Sequence, residues 1–537
     1  MISKIVFNSF FLECVKKHAS LSKIPMKLKT DNIMRRLLSF LAVAMLAISA
    51  MAQPSMPTFR FGETNKGFDH LMSHNSHILA EKDGEILVAT YENRSFLGSF
   101  FPCGLQVVAA DTNMKVLRQV SLPETKMSQI VFANYVDGKV YLLYRGVIVA
   151  DYYRAVIDPQ SMTLERCEKV FDNIPGKNLG TYNWSAQSDN GLFYAVADVF
   201  VNSVSNEMVH RQLLLDEKLE LLWEKHFEAD MMSNLHVSDD GVVYLFGSRY
   251  DKASHETIVS MHVLDVDDEK SVERSVKVGE VYRLTLLNIV GSGGSPSVQY
   301  AVAAGYIRTP KSPKNKDCFD QMVGIALNLR TGDAKTSTER FTSDELNVFG
   351  NKSTKKENEV GMVDALTMAN SAETGYGGVL LLQRIWKVTT SSTSSPDVNE
   401  YFTMGSLALA VDTTGTILWH KPFRTVNSER TFQAADIPCY GDAPMLAEGD
   451  NVYVMLPEPA KPSATYDIAS SESRIALGIR AHSYVIYGID RQGTLAKQIP
   501  IPKDKGSLMD NFVRQAPGKY IGIYSYHKES NLVHVNF

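Results

Sequence analysis

Hydrophobic and polar positions alternate along this chain in short runs, and a Gly turn separates the runs in pairs. The pattern occurs as HILAEKDGEILVATY around Gly84, IVFANYVDGKVYLLY around Gly138, WSAQSDNGLFYAVA around Gly191, LHVSDDGVVYLFGS around Gly241 and FVRQAPGKYIGIYSY around Gly518. Alternation with a period of two predicts half-buried strands, and the Gly predicts the tight turn of a β-hairpin. Because no such unit can bury its own apolar face, the repeat predicts a propeller or a solenoid.

A second family of hairpins alternates with the first, and each of its members has an acidic or amide residue at the end of its first strand. These residues are Asp111, Asp158, Asp216, Asp265, Asn328, Asp412 and Asp490. Asp and Asn suit a turn because their side chains accept hydrogen bonds from the backbone two residues further on. Two hairpins per repeat make four antiparallel strands, which is one propeller blade. The sequence therefore predicts an all-β propeller of four-stranded antiparallel blades.

The number of first hairpins gives the number of blades. The turn positions Gly84, Gly138, Gly191, Gly241, Gly377, Gly449 and Gly518, together with a degenerate SGGSPS loop near Gly294, give a count of eight. The last hairpin is followed only by LVHVNF, which leaves its blade without an outer strand. The short alternating segment PTFRFGE, around Phe59 to Glu63, is expected to supply that strand and so to remove the free sheet edges. Eight blades closed by an N-terminal strand are favoured, and seven are the alternative.

The segment 34–52 precedes the repeats and has the composition of a targeting sequence. A basic pair, Arg35 and Arg36, leads into an apolar core over 37–48, and small residues follow at Ala50 and Ala52. This order predicts a secretory signal peptide that is cleaved before Gln53, with an uncleaved anchor as the alternative. Residues 1–33 are then a dispensable upstream extension. We expect export to the periplasm, to the outer membrane or out of the cell.

The segment 53–537 is expected to form a single propeller domain, because no linker rich in Pro, Ser or Gly divides it. Two independent domains are the alternative, since its length exceeds the usual size of one domain. Removing positions 1–52 from the 55 basic and 60 acidic residues of the chain leaves 47 and 58, a net charge of −11. A chain this acidic argues against nucleic acid or an anionic membrane as the main partner.

Four cysteines lie beyond the predicted cleavage site, at Cys103, Cys167, Cys318 and Cys439. Their wide separation does not match a zinc site, whose ligands come in closely spaced pairs. In an exported chain up to two disulfides could form, with three possible connectivities, and the spacing does not decide among them.

Several connections between hairpins are long, and in a propeller they share one face, which we call the long-loop face. They are the segments 92–103, 199–209, 307–319, 386–402 and 456–482. Long loops on a rigid scaffold are the usual location of binding sites. Segments that lead into inner strands should also bring side chains to this face, at the mouth of the central channel. The candidate binding residues are Asp69, His70, His74, Trp184, Asn234, His236, Asp364, Tyr440 and Asp442.

The densest set of possible metal ligands is the segment DHLMSHNSH, with His70, His74 and His77 as candidates. Imidazole and carboxylate groups are suitable ligands for zinc. However, His74 and His77 would point to opposite faces of an extended chain, so no metal site and no cofactor are predicted.

The segment AVDTTGTILW, from Ala410 to Trp419, resembles the repeat of quinoprotein-like propellers, which are related in outline to the WD40-like repeats; LDEKLELLW, ending at Trp223, resembles it less closely. The resemblance implies a secreted bacterial β-propeller in which these Trp side chains dock one blade on the next. The family's adjacent Cys pair and calcium ligands are not recognisable, so the quinone and the dehydrogenase activity are not implied.

Searches for catalytic motifs give nothing: the chain has no G-x-S-x-G, no H-E-x-x-H, no C-x-x-C and no phosphate-binding loop. The sequence therefore favours a non-catalytic exported propeller that binds a protein or polysaccharide of the cell envelope through the long-loop face. The alternative is a glycoside hydrolase or polysaccharide lyase with its site at the channel mouth, because propeller enzymes can assemble a site from residues far apart in sequence.

Overall fold

A computed structural model describes the following residues of the chain: 54–62, 77–96, 99–122, 128–146, 151–171, 177–188, 190–201, 208–228, 232–251, 253–265, 272–277, 283–291, 299–308, 319–328, 331, 333–348, 366–392, 395–432, 443–459, 482–498, 507–508, 512–526 and 529–537. The chain divides into two compact units, Met1–Gln53 and Pro54–Phe537, and all described residues belong to the second. The signal peptide predicted at 34–52 lies outside them. None of the helices in the described ranges has the length and apolar character needed to cross a membrane.

The predicted blades are present as seven four-stranded antiparallel sheets, in each of which the strands pair in chain order. The first three comprise β2 (His77–Lys82), β3 (Glu85–Phe96), β4 (Ser99–Asp111) and β5 (Val116–Ser121); β6 (Ser128–Val136), β7 (Lys139–Gly146), β8 (Tyr152–Asp158) and β9 (Thr163–Phe171); and β10 (Lys177–Gln187), β11 (Phe193–Val201), β12 (Met208–Asp216) and β13 (Leu221–Glu228).

The next four blades continue the same order. They comprise β14 (Met232–Val237), β15 (Val243–Asp251), β16 (Glu256–Leu264) and β17 (Val272–Lys277); β18 (Arg283–Gly291), β19 (Gln299–Arg308), β20 (Phe319–Asn328) and β21 (Ala334–Arg340); β22 (Leu366–Thr374), β23 (Gly377–Ser392), β24 (Ser395–Asp412) and β25 (Ile417–Phe432); and β26 (Met445–Glu448), β27 (Asn451–Pro459), β28 (His482–Ile489) and β29 (Leu495–Gln498).

An eighth sheet joins the two ends of the second unit. It contains β1 (Thr58–Phe61), β30 (Ser507–Leu508), β31 (Val513–Ala516), β32 (Lys519–Tyr526) and β33 (Glu529–Asn536). β1 pairs antiparallel with β33, from Thr58 opposite Asn536 to Phe61 opposite Val533. The predicted closure by an N-terminal strand is confirmed. The described chain thus has seven four-stranded blades and a five-stranded closing sheet.

Apolar clusters hold neighbouring sheets together and close the ring. Ile86 and Val88 of the first blade pack with Ile521 of the closing sheet. On the other side of that sheet, Val533 packs with Tyr453 of the last blade. Burial of apolar surface is worth about 25 cal/mol per Å², so these clusters, rather than backbone pairing, are the main attraction between sheets.

The hairpin turns explain why Gly recurs where it does. At the first turn Asp83 and Gly84 have φ of 54° and 79°, and both values are positive, as a two-residue type I′ turn requires. Gly377 is an exception, because it begins β23 and pairs with Thr374, so the turn consists of Gly375 and Tyr376. The prediction that Gly377 is a turn residue is therefore wrong. A Cβ at Gly377 would lie 2.1 Å from the carbonyl oxygen of Val411, so close backbone approach explains this glycine instead.

The turns of the second hairpins are held by side-chain caps, as predicted. Asp111 Oδ1 accepts hydrogen bonds from the backbone N–H groups of Asn113 and Lys115, at 2.9 and 2.8 Å. Asp412 repeats this arrangement with Thr414 and Thr416. Each cap satisfies backbone donors that the turn leaves without a strand partner.

Two of the connections predicted as long loops are largely strand. β3 and β4 continue through the segment 92–103 to a pair formed by Phe96 and Ser99. β23 and β24 continue through 386–402, where Trp386 faces Phe402. The alternation of β-branched and aromatic residues with polar ones extends the ladders, and the sequence reading wrongly treated these stretches as loops. The second of these hairpins, with the adjoining part of β25, is called the β23–β25 arm below.

Two further local features follow from the sequence. Helix α1 (Ser343–Val348) begins with a capping box, in which Thr342 Oγ1 accepts from the Glu345 N–H and Glu345 Oε2 accepts from the Thr342 N–H. Trp419 is buried, and its Cγ lies 2.8 Å from where a Cβ of Gly493 in the last blade would be. The blade-to-blade docking expected for this Trp is confirmed.

Candidate functional site

The structure places three of the predicted binding residues on neighbouring inner strands. Trp184 lies in β10, and Asn234 and His236 lie in β14. Trp184 packs against the apolar cluster that contains Ala197 and Leu245, so it contributes to the contact between blades. His236 lies opposite Tyr244, with 6.2 Å between the ring centroids. Trp184 and His236 are thus packed between and within blades.

Burial changes the protonation of two histidines on inner strands. It lowers the pKa of His77 from 6.5 to about 4. It also lowers the pKa of His236 to about 4, against a small opposing effect of Asp239. Both imidazoles are therefore neutral near pH 7, which suits packing and makes them weak bases.

The other predicted site residues, Asp69, His70, His74, Asp364, Tyr440 and Asp442, lie outside the described residues. Within the ranges that the structure does describe, no group of three or more His, Cys, Asp and Glu side chains is placed to hold a metal ion. Cys167 has a free thiol, and its Sγ lies 3.1 Å from the Tyr144 hydroxyl.

Buried polar side chains recur in several of the blades. They lie on the two middle strands of a blade, at the end towards the long-loop face, and they include Thr90 and Gln106, Arg145, Asp198 and Arg211, Thr257 and Ser260, and Gln383 and Ser406. Nearer the Gly turns the buried residues of these strands are mostly apolar, with His262 on β16 as an exception. A buried polar group is costly unless it is paired, so this layer is the part of the blades where a specific polar function is expected.

The most highly charged part of this layer is the charged seam, which we define as Arg145, Tyr152, Asp198 and Arg211. Arg145 on β7 faces Tyr152 on β8, and Asp198 on β11 faces Arg211 on β12. The charged seam therefore spans two neighbouring blades. All four residues are less than a tenth exposed.

Asp198 is the centre of the hydrogen bonds in the charged seam. Its Oδ2 accepts from the Arg211 guanidinium, with 2.6 Å to Nη2 and 3.2 Å to Nε. Its Oδ1 accepts from the Tyr152 hydroxyl at 2.6 Å, across the contact between the two blades. A carboxylate with charge-assisted bonds to both sides fixes the geometry of this contact.

Arg145 has no comparable partner. Its side chain is 6% exposed, and its Nε is buried and has no hydrogen-bond partner within the described part of the chain. Its Cζ lies 5.7 Å from the centroid of the Tyr152 ring, and the Cζ of Arg211 lies 5.8 Å from the same centroid. Two guanidinium groups thus lie at one ring, and Asp198, which binds Arg211, is the one carboxylate of the charged seam, so these four residues carry one more positive than negative charge.

The Tyr152 hydroxyl acts as a donor in this arrangement. Burial, and then the charge of Asp198, raise the pKa of Tyr152 well above its usual value of 10. The phenol therefore remains protonated in the physiological range, and its proton is directed to Asp198. This is the chemistry of a fixed, charged binding group rather than of a proton-transferring pair.

The sequence reading did not identify the charged seam, although a signal was present. Asp198 interrupts the apolar run FYAVADVFV of β11, and Arg211 lies in the polar triplet His-Arg-Gln that precedes the apolar residues of β12. A charge in the apolar middle of a strand predicts a buried partner. The sequence reading looked instead at the segments leading into inner strands, because those are the segments that reach the central channel.

Comparisons with known proteins agree with the fold and go no further. No protein-family model matches the chain, and no curated protein matches it. Solved propellers resemble it in structure. The propeller of Dos1 aligns with 88% of this chain and with 95% of its own length, at 9% identity and a TM-score of 0.41. The β-propeller domain of the Trilobed protease from Pyrococcus furiosus aligns with 76% of this chain and with 93% of its own length, at 11% identity and a TM-score of 0.32.

A polysaccharide lyase, Uly1, covers 78% of the chain over 93% of its own length, with 10% identity and a TM-score of 0.33. The structural neighbours thus have various activities. The resemblance is one of fold alone.

Proposed function

We propose that this protein is an exported, non-catalytic β-propeller that binds a protein or polysaccharide partner of the cell envelope through its long-loop face. The observation that carries the proposal is the layer of buried polar side chains near that face, of which the charged seam is the extreme case. Buried charge in the blades costs stability. A binding role on the adjacent face would account for buried charges that lower the stability of the blades.

The protonation states favour binding over acid–base catalysis. Tyr152 is held protonated and fully buried, and His236 is neutral with a pKa of about 4. Neither group is poised near neutral pH, where a general acid or base is most effective. The alternative remains a glycoside hydrolase or polysaccharide lyase, which requires two carboxyl groups roughly 5–10 Å apart at the channel mouth.

Export is tested separately from binding. The full chain is expressed in a Gram-negative host, the cells are fractionated, and the N-terminus of the product is sequenced. We expect an exported product that begins at Gln53. A product retained in the cytoplasm with residues 1–52 intact would contradict export.

Binding is tested by affinity capture of tagged 53–537 from envelope extracts of its own cells, with mass spectrometry of proteins and of released glycans. The test variant shortens the β23–β25 arm by replacing residues 388–400 with Asn-Gly, which joins the facing pair Lys387 and Tyr401. The control, Lys115→Glu, changes an exposed side chain at a turn on the opposite face. Both variants are checked by thermal unfolding.

We expect the shortened arm to lose the partner and Lys115→Glu to keep it. The reverse result would contradict the assignment to the long-loop face. Cleavage of a captured glycan by the purified protein would instead favour the enzyme.

A further inference from the structure

The uncompensated charge of Arg145 suggests what the long-loop face binds. Arg145 is the seventh residue of β7, next to the last residue of that strand, at the end away from the Asp137–Gly138 turn. Tyr152, opposite it, is the first residue of β8. The guanidinium is therefore buried at the end of the blade that borders the long-loop face.

A neighbouring arginine shows how a buried guanidinium is paired when it is purely structural. Arg154, on the same strand as Tyr152, is 5% exposed. Its Nη groups lie 2.9 Å from Glu220 and 3.4 Å from Glu168, and its Nε donates to the backbone oxygen of Lys218 at 2.9 Å. Arg145 is equally buried but has an unpartnered Nε.

Two buried carboxylates of the described residues, Asp198 and Asp151, are engaged by groups other than Arg145. Asp198 is held by Arg211 and Tyr152. Asp151, which is also buried, forms an ion pair with Lys169, with 3.0 Å between Oδ2 and Nζ. Within the described residues Arg145 has no counter-ion, and a buried cation without one is strongly unfavourable, so an anion supplied from outside would stabilise this site.

From this geometry we infer that Arg145 is a subsite for one carboxylate group of a peptide segment of the partner protein. This inference rests on the proposed function and narrows it to a protein partner. One surplus charge matches one monovalent anion, and the planar guanidinium matches the two oxygens of a carboxylate.

The burial of Arg145 selects the kind of ligand. A group that reaches a guanidinium that is 6% exposed must stand at the end of a chain or on a flexible side chain. A peptide C-terminus and a Glu or Asp side chain have this form, whereas the carboxylate of a uronic acid is fixed to the ring of a polysaccharide backbone. The acidic composition of the chain also disfavours a polyanion, because several negative charges would be repelled together.

The first experiment measures thermal unfolding of 53–537 at constant ionic strength, with four probes: Ac-Ala-Ala-Ala-OH, Ac-Ala-Glu-Ala-NH₂, Ac-Ala-Ala-Ala-NH₂ and trigalacturonate. A ligand that binds only the folded state raises Tm. We expect at least one of the first two peptides to raise Tm by roughly 1–2 °C, and the fully amidated peptide to have no effect. A larger shift with Ac-Ala-Ala-Ala-OH identifies a C-terminal carboxylate as the ligand, and a larger shift with Ac-Ala-Glu-Ala-NH₂ identifies a side-chain carboxylate.

A matched pair of variants separates a ligand subsite from a structural arginine. Arg145→Met removes an unpaired buried charge, so we expect a higher Tm without ligand and no response to the peptides. Arg154→Met breaks a paired guanidinium of the same burial, so we expect a lower Tm and an unchanged response. A fall in Tm for Arg145→Met, a response retained by that variant, or a response to trigalacturonate alone would overturn the inference.

Envelope capture distinguishes this inference from the proposed function. If Arg145→Met loses the peptide response but still captures the partner, the proposed function stands and the assignment of Arg145 to the partner's carboxylate is wrong. If the wild-type chain captures nothing but responds to the peptides, the subsite stands and the envelope function is wrong. We expect wild-type capture and its loss in Arg145→Met.

Discussion

Two cross-strand pairs occupy the same place in different blades, and one is charged whereas the other is neutral. Arg145 is the seventh residue of β7 and faces Tyr152. Gln383 is the seventh residue of β23 and faces Ser406. The propeller thus places a polar pair at the same height in both blades, but the chemistry of the two pairs differs completely.

The neutral pair makes its hydrogen bonds inside its own blade, although Gln383 Oε1 is buried without a partner among the described residues. Gln383 Nε2 donates to Ser406 Oγ at 3.0 Å, and Ser406 Oγ lies 2.8 Å from Thr425 Oγ1. These three side chains join the strands β23, β24 and β25. The charged seam instead reaches across two blades, and within the described part of the chain Arg145 Nε has no hydrogen-bond partner. A neutral network stabilises one sheet, whereas a charged one couples two sheets and can respond to an ion.

The largest effect should come from breaking the charged seam at Asp198. Asp198→Ala leaves both Arg211 and Arg145 buried without a negative charge, so we expect a loss of about 3–5 kcal/mol in the free energy of unfolding. Urea unfolding of 53–537 measures it. A smaller loss of unfolding free energy than that of Ser406→Ala would contradict the distinction between the charged seam and the neutral pair.

A smaller loss is expected when the neutral network is broken. Ser406→Ala removes the hydroxyl that joins Gln383 to Thr425, and it leaves buried polar groups without a partner at a cost of about 1–3 kcal/mol. The same urea experiment measures it. We expect no change in peptide response, because this network lies in another blade; a lost response would show that the two regions are coupled.

The contact of the neutral blade with the preceding blade should depend on pH. His420 on β25 binds Glu345 through Nδ1 and Glu339 through Nε2, the latter at 3.0 Å. The hydrogen bond to Glu345, and then its charge, raise the pKa of His420 above 6.5, although burial opposes this. A raised pKa in the folded state stabilises the protein fully below pH 6.5, and this stabilisation is lost as pH rises through the folded-state pKa.

We therefore expect His420→Gln to lower Tm at about pH 6, by less than Ser406→Ala, and the difference from wild type to shrink towards about pH 9. Thermal unfolding across this range measures it. The charged seam depends on arginine, which does not titrate there, so Asp198→Ala should show no such trend. A difference for His420→Gln that is constant with pH would contradict the proposed role of His420.

The smallest effect should come from an exposed ion pair in the same pair of blades as the charged seam. Lys218 Nζ lies 2.9 Å from Asp137 Oδ2, and both side chains are more than a third exposed. Asp137→Asn should leave the free energy of unfolding nearly unchanged, because solvent screens exposed pairs. Urea unfolding measures this change. A loss of unfolding free energy comparable to that of Asp198→Ala would show that burial does not explain why the charged seam matters more than an exposed ion pair.

The alternation of apolar and polar residues determined the strands, the blades and the closure by β1. These features depend on local rules, since the face of each side chain follows from a period of two and each turn follows from Gly, Asp or Asn. The same local reading placed Gly377 in a turn and treated 92–103 and 386–402 as loops, because strand ends depend on pairing with a neighbour.

The charged seam was decided by the tertiary structure. Arg145 and Asp198 are 53 residues apart in sequence, and nothing local indicates that the Asp198 carboxylate pairs with Arg211 and Tyr152 rather than with Arg145. The packing of one blade on the next decides which side chains are buried together. Burial then raises the free-energy cost of a charge that has no partner. The sequence by itself therefore determined the scaffold, and only the packing of its blades determined where a ligand's charge is needed.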